Sequence, residues 1–368
     1  MPQLNSWILT LLRALGRGLL ALACLIIAVW GTLALRFQLP TPQWLSILVI
    51  ALWTLLACAS IASLLLPRLR DYRWHIVAGF MLAFGALCVW WQTIEPSNDR
   101  DWAPDVARQL SAEIDGDHVT LHNVRNFEWR TPTDFTPRWE TRTYDLSQLS
   151  STDLIVSYWM GPAIAHTLVS FGFAEGRHLV FSVEIRRERD ESFSALGGFF
   201  KEFEVSLIAA DERDIIRTRS NVRGEDVYLY RVQLPEGAAR SLFLSYLDEA
   251  RELRAEPRFY NTLLTNCTTL VFDMVKRIVP GLPFDIRLLL SGYLPGYIYD
   301  LGGLDTSRPF NELQARGHIN ERTIASDQDD LSTPAFSTLI RRGVPAPDGS
   351  LIAPQDEKIP TRAQEHGR

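Results

Sequence analysis

The chain has 368 residues, of which 47% are hydrophobic and 22% charged, and its formal net charge is −6 at pH 7. This mild negative charge, without a basic stripe interleaved with aromatic residues, argues against a nucleic-acid partner. The sequence has no glycine-rich phosphate loop and no His/Cys cluster at zinc spacing, so we expect no cofactor and no metal ion.

Three long apolar stretches lie close to the N-terminus. Leu19 to Leu35, Trp44 to Leu66 and Trp74 to Ile94 contain no Asp, Glu, Lys or Arg. Each is close to the roughly 20 apolar residues that cross a bilayer core, so the pattern predicts three transmembrane helices within residues 1–95. A cleaved signal peptide would explain the first stretch but not the other two.

The charges that flank these stretches predict their orientation. Arginines precede the first stretch and lie between the second and third, at Arg13, Arg17, Arg68, Arg70 and Arg73. The third stretch is followed by Glu95 and Asp99 instead. The positive-inside rule then places the N-terminus in the cytoplasm and the following residues outside. We expect a multi-pass protein of the bacterial inner membrane whose domain 96–324 lies in the periplasm.

A pair of strands in this domain brings a histidine and a carboxylate together. Ile164 to Phe173 and Leu179 to Ile185 have strand-like patterns, and a three-residue loop that ends at Gly176 separates them. If Phe173 pairs with Arg177, the register places His166 directly opposite Glu184.

A carboxylate in this position would orient the imidazole and stabilise its charged form. His178 and Ser182 share the face of Glu184, and His178 is the alternative orienting residue. A core histidine without a catalytic role is the alternative interpretation of His166.

Cys267 is the only cysteine outside the apolar stretches, which contain Cys24, Cys58 and Cys88. Because free thiols in the periplasm are liable to oxidise and Cys267 has no partner there, the pattern favours a reactive thiol over a disulfide. A small buried cysteine at a helix start is the alternative.

The residues around Cys267 favour its thiolate form. Asn266 is a good N-cap for a helical pattern that stops before Pro280, which places Cys267 in the first helical turn. Unpaired N–H groups and the positive end of the helix dipole lower a thiol pKa there. The same groups suit an oxyanion hole, with Asn261 and Tyr260 as supporting candidates.

Two later segments complete the predictions. Ile286 to Tyr299 is apolar and interrupted by Gly and Pro, and we expect Leu289, Tyr293 and Tyr297 to line an acyl-chain pocket. Core packing and contact with the membrane surface are the alternatives. Residues 325–368 are polar and Pro-rich, which is typical of a flexible tail.

Five motifs, in order, resemble the DUF4105 family, the N-terminal periplasmic domain of the Lnb-type lipoprotein N-acyltransferases. They extend over roughly residues 123–298 and comprise Ala165–Thr167 with Ser170–Phe173, Phe181–Arg186, Ala210–Asp214, Val227–Tyr230 and Phe259–Thr269. The resemblance implies an α+β fold, a circularly permuted NlpC/P60 (papain-like) domain with an antiparallel sheet and a cysteine-bearing helix. As in the lecithin:retinol acyltransferase-like enzymes, histidine precedes cysteine.

On this resemblance Cys267 matches the nucleophile and His166 the base. It implies a membrane-anchored thiol acyltransferase that moves a fatty acyl group from a phospholipid, through an S-acyl enzyme, to an amine such as the N-terminus of a lipoprotein. The alternatives are an NlpC/P60-type cysteine hydrolase of cell-wall peptide or lipid ester, and a non-catalytic membrane-anchored binding domain.

Overall fold

The computed structural model describes residues 2–174, 176–328 and 331–352, with the backbone alone for 2–6 and 328. These residues form two compact units. One unit contains the residues up to Ser97 together with Ser194–Glu202, and the other contains Asn98–Phe193 and the residues from Phe203 onward.

The first unit contains the helices α1 (Pro2–Gln38), α2 (Gln43–Leu65) and α3 (Arg73–Gln92). All three are long and apolar enough to cross a membrane, as the sequence predicts. Their contacts with one another are formed by a small buried cluster that includes Cys24, Trp53 and Phe80.

The segment Ser194–Glu202 packs within this first unit, although it lies between two strands of the second unit in the chain. The ring of Phe200 stacks on Phe37 at 5.7 Å. Lys201 Nζ donates to the carbonyl oxygens of Trp91 and Ile94, at 2.9 and 3.0 Å. The first unit, called the membrane unit below, is therefore built from two separate parts of the chain.

The second unit is built on one twisted, largely antiparallel sheet. Its strand order is β1-β2-β9-β8-β7-β6-β10, with β5 paired to β2, and a small separate hairpin is formed by β3 and β4. The strands are β1 (Ser111–Asp115), β2 (His118–Arg125), β3 (Glu128–Trp129), β4 (Phe135–Thr136), β5 (Trp139–Asp145), β6 (Leu149–Met160), β7 (Ile164–Phe173), β8 (His178–Arg186), β9 (Glu204–Ala210) and β10 (Asp226–Arg231).

Helices cover the two faces of this sheet, which makes the unit α+β as predicted. The helices are α4 (Glu212–Arg217), α5 (Ala238–Ala255), α6 (Thr269–Ile278), α7 (Leu294–Asp300), α8 (Phe310–Gly317), α9 (Asn320–Gln328) and α10 (Thr333–Arg341). One buried cluster joins the sheet to α5 and α6 through residues such as Phe243 and Met274. A second joins it to α4 and α10 through Ile216 and Phe336.

The register between β7 and β8 is the predicted one. The N–H of Phe173 donates to the carbonyl of Arg177 at 2.9 Å, and Leu168 pairs with Ser182. Gly176 has φ +76°, a conformation that side chains with a Cβ rarely adopt, so it closes this hairpin without strain. The hairpin therefore fixes which side chains of the two strands meet.

The structure corrects the prediction of a flexible tail over residues 325–368. Residues 333–341 form α10, whose Phe336 and Ile340 are buried against the sheet. Arg341 is also buried, with Nε 2.8 Å from Asp153 and Nη1 2.8 Å from Glu212. The polar composition of this segment did not indicate a buried helix, because the charge of Arg341 is paired inside the core. Residues 353–368 of the predicted tail lie outside the described part of the chain.

Candidate active site

His166 lies near the start of β7, with its ring against two side chains of β8. Its Nε2 is 2.7 Å from Ser182 Oγ and 3.2 Å from Glu184 Oε1. Ser182 Oγ also donates to Glu184 Oε1 at 2.7 Å. The carboxylate therefore holds the ring directly and through a serine hydroxyl.

Glu184 is held in turn by a buried arginine. Arg219 Nη2 donates to Glu184 at 2.9 Å, and Nη1 donates to Glu225 at 3.2 Å. Glu225 also accepts a hydrogen bond of 2.5 Å from Ser157, which is the cross-strand partner of His166 on β6. Arg219 thus joins two carboxylates beneath the histidine and fixes Glu184 in place.

The charges in this group favour a charged imidazole. Burial and the positive charge of Arg219 oppose protonation of His166, but Glu184 and Cys267 outweigh them and raise its pKa to about 9. Burial would raise the pKa of Glu184, yet His166 and Arg219 hold that pKa well below its ordinary value. At neutral pH the pair is therefore an imidazolium and a carboxylate.

Cys267 is buried and interacts with His166. Burial disfavours its thiolate, but the charge of His166 and hydrogen bonds from His166, the Thr167 backbone and the Thr268 hydroxyl lower the pKa of the thiol. The sulfur lies 3.9 Å from Thr268 Oγ1. The site therefore brings together a thiol of lowered pKa, an imidazole of raised pKa and a carboxylate, a combination that can activate a cysteine as a nucleophile.

Cys267 lies in the turn that leads into α6, and the helix itself begins at Thr269, so the expectation of a cysteine inside the first helical turn is not confirmed. Asn266 nevertheless caps this end. Its Oδ1 accepts from the N–H groups of Thr268 and Thr269 at 2.9 and 3.0 Å. Those two N–H groups are thereby used for capping, which removes them from the predicted oxyanion hole.

The two predicted supporting residues occupy different positions. Burial and the negative charges of Cys267 and Glu184 raise the pKa of Tyr260, so its phenol lies in the field of the site. Asn261 Oδ1 instead accepts from the N–H groups of Leu263 and Leu264, both at 3.0 Å. The negative charges of the site therefore act on Tyr260, whereas Asn261 stabilises the loop that precedes Cys267.

His178 belongs to a separate group of charges. Its Nδ1 contacts the carbonyl of Gly176 at 3.1 Å. Burial and the positive charge of Arg341 lower its pKa, while Glu212 and Asp153 oppose that change. His178 therefore lies beside the buried ion pairs of α10, and Glu184 is the residue that contacts His166.

An apolar cavity of about 430 Å³ lies beside the cysteine turn. Thr167 and Thr268 form part of its wall, and their hydroxyls are 3.1 Å apart. Apolar side chains of α6, α7 and the sheet supply most of the rest, including Leu154, Val169, Val271, Phe272, Val275, Leu288 and Tyr297. Of the predicted pocket residues, Tyr297 lines the cavity, whereas Leu289 and Tyr293 are absent from the lining found among the described residues.

Sequence patterns did not indicate Arg219, Glu225 or Thr268. Arg219 lies in a single π-helical turn, Thr218–Val222, more than thirty residues from Glu184 in the chain. No short spacing connects these residues, so only the folded chain shows that they meet. Thr268 could have been considered from the sequence alone, since it follows Cys267 directly.

Comparison with protein families supports the motif-based resemblance. Residues 135–292 match the model of the Lnb N-terminal periplasmic domain. Comparisons with curated proteins and with solved structures return no match. The matched region contains His166, Glu184 and Cys267. This match to residues 135–292 confirms the resemblance to the Lnb family that the sequence motifs predict.

Proposed function

We propose that this protein is a membrane-anchored cysteine acyltransferase. The observation that carries the proposal is the buried group of Cys267, His166 and Glu184, in which the pKa of the thiol is lowered and that of the imidazole is raised to about 9. Such a pair supplies both a nucleophile and a general acid at neutral pH. The Lnb match and the adjoining apolar cavity support a lipid acyl group as the transferred group.

In the first step the Cys267 thiolate attacks the ester carbonyl of a phospholipid. The tetrahedral oxyanion is stabilised by the Cys267 backbone N–H and the Tyr260 hydroxyl. The C–O bond then breaks, and His166 gives its proton to the departing lysophospholipid oxygen. The products are an S-acyl enzyme, neutral His166 and a lysophospholipid.

In the second step an amine, such as the N-terminus of a lipoprotein, attacks the thioester. His166 accepts a proton from the amine nitrogen, and the C–S bond breaks as the amide forms. The released thiolate and the imidazolium restore the resting pair. Glu184 remains ionised throughout and stabilises the imidazolium whenever it forms.

The chain order also fits a circularly permuted NlpC/P60 domain. The histidine strand β7 precedes the cysteine turn by about one hundred residues, and an antiparallel sheet carries the base. We propose this fold assignment on the same terms as the chemistry. We also propose that the three apolar helices anchor the protein in the bacterial inner membrane, with the N-terminus cytoplasmic and the second unit periplasmic.

The acyl enzyme provides the direct test. The full chain in phosphatidylethanolamine and phosphatidylglycerol nanodiscs is analysed by intact mass spectrometry, with Cys267→Ala, His166→Ala and the matched control Cys58→Ala. We expect a hydroxylamine-labile fatty-acyl adduct on the wild-type protein and the control, and none on the other two. Absence of the adduct from a wild-type protein whose Cys267 still alkylates would contradict the proposal.

The fate of the adduct distinguishes transfer from hydrolysis. An added lipopeptide with a free N-terminal amine should gain the acyl group and discharge the enzyme. Release of free fatty acid at the same rate with and without the lipopeptide would instead identify a lipid hydrolase.

A further inference from the structure

We propose that the second unit docks on the lipid surface through an exposed apolar rim around the active site. The apolar rim consists of Trp159, Met160, Phe193, Leu263, Leu264 and Tyr293. This inference concerns where the unit rests and does not depend on the reaction at Cys267.

The rim residues come from segments that meet at the site. Trp159 and Met160 lie at the end of β6, and the ring of Trp159 contacts Phe193 at 5.0 Å. The turn after Met160 contacts Gly292, whose N–H donates to Ala163 at 3.0 Å, and Tyr293 is the next residue. One end of the sheet therefore carries these four side chains together.

Leu263 and Leu264 lie in the loop that precedes Cys267, close to the β6–β7 turn. Leu264 lies three residues before Cys267, and Ala163 lies three residues before His166. The hydroxyls of Thr167 and Thr268 are 3.1 Å apart, so the loop that carries Leu263 and Leu264 ends beside the first residues of β7, which follow the β6–β7 turn. Leu264 is 76% exposed.

Three of the segments that form this end of the unit lack acidic residues, lysine and arginine, whereas the segment before Phe193 carries Glu188, Arg189, Asp190 and Glu191. No Asp, Glu, Lys or Arg occurs in Leu154–Ala174, Phe259–Phe272 or Leu288–Tyr299, although 22% of the whole chain is charged. Exposed aromatic and aliphatic side chains without charges are costly in water and are typical of proteins that rest in the lipid headgroup region. Trp and Tyr are especially suited to that interface.

The chain itself indicates lipid as the occupant. Three helices long enough to cross a membrane precede this unit, and only five residues separate the end of α3 at Gln92 from Asn98. Five residues extend at most about 18 Å, so the unit begins close to the bilayer. Phe193 is also followed directly by Ser194, where the segment of the membrane unit begins.

Lipid contact is tested with a fluorescent reporter on the full chain. Leu264→Cys is labelled with an NBD dye after Cys24, Cys58, Cys88 and Cys267 are replaced by Ala. The protein is placed in nanodiscs of phosphatidylethanolamine and phosphatidylglycerol that contain a nitroxide at acyl carbon 5. We expect a blue-shifted emission that the nitroxide quenches. The matched control is Ile114→Cys, an exposed aliphatic position outside the rim, where we expect no quenching.

A second reporter tests whether the rim acts as one surface. A dye at Trp159→Cys should also be quenched, and the added change Leu263→Glu with Leu264→Glu should abolish that quenching. Leu263→Phe with Leu264→Phe should retain it, which controls for disturbance of the loop. The proposal is overturned if the dye at 264 is unquenched, or if the dyes at 264 and 114 are quenched equally.

Discussion

At His166, opposing charges decide whether the ring carries a proton. Glu184 and Cys267 favour the imidazolium, while Arg219 and burial disfavour it, and the result is a pKa of about 9. The lowered pKa of Cys267 depends on this proton, because the charge of His166 is its largest stabilising influence. The protonation state of His166 therefore affects the reactivity of Cys267.

Glu184→Gln should make Cys267 less reactive at neutral pH. The amide keeps the size of the side chain but removes the charge that holds the imidazolium, so the pKa of the thiol should rise. Each unit of that rise lowers the thiolate fraction about tenfold at a pH below the new pKa. The measurement is the rate of iodoacetamide alkylation between pH 5 and 9.

In the wild-type protein this rate should rise at a lower pH than for an ordinary cysteine, because the pKa of the Cys267 thiol is lowered. The Glu184→Gln profile should move to higher pH. The control is Glu188→Gln, on a partly exposed carboxylate that pairs with Arg100. If the pH profiles of wild type and Glu184→Gln superimpose, Glu184 does not influence the reactivity of Cys267.

Helix α10 has an energetic role that its polar sequence does not suggest. Arg341 pairs with Asp153 and Glu212, and all three side chains are almost fully buried. Breaking a buried ion pair by removing one partner costs about 3–5 kcal/mol, because the remaining charge has no water around it. Arg341→Met should therefore lower the free energy of unfolding by about that amount.

The measurement is chemical unfolding in detergent, followed by the near-ultraviolet signal of the second unit. Arg316→Met is the matched control, since Arg316 forms an ion pair with Glu312 on the surface. Exposed pairs contribute about 0–1 kcal/mol, so the control should stay close to wild type. Equal losses in both variants would show that α10 is not held by its buried charges.

Two neighbouring residues of helix α6 lie in different environments, which provides a test of the cavity and its matched control. Val275 lines the apolar cavity, whereas Lys276, the next residue, is exposed. If the cavity holds the acyl chain, Val275→Trp should shorten the preferred chain of the S-acyl adduct, and Lys276→Trp should not. Mass spectrometry with donors of graded chain length measures this preference. An unchanged preference in Val275→Trp would place the chain elsewhere.

Local patterns predicted the features that depend on neighbouring residues. The contact of His166 with Glu184 follows from one loop with glycine at its end and from strict alternation along two strands. Arg219, the cavity and α10 depend on residues far apart in the chain, which no periodicity connects. The helix starts at Thr269, later than predicted, because Asn266 caps through its side chain three residues before the first helical residue.

At the scale of the whole molecule, the proposed orientation predicts which residues lie in the periplasm and which lie in the cytoplasm. Asp248→Cys, in the exposed part of α5, should react with a membrane-impermeant maleimide in bacteria with a permeabilised outer membrane. Arg70→Cys, between α2 and α3, should react only after the inner membrane is opened. Both proteins carry Ala at the four native cysteine positions. The reverse pattern would place the second unit in the cytoplasm.

The segment Ser194–Glu202 also sets an order in biosynthesis. The carbonyl groups of Trp91 and Ile94 emerge from the ribosome long before Lys201, which donates to both of them. At about 5–20 residues per second, roughly a hundred residues take about 5–20 s to synthesise. During that interval the apolar helices are already made, yet the stacking partner of Phe37 does not exist. The membrane unit is therefore completed only after six of the eight strands of the large sheet have been translated.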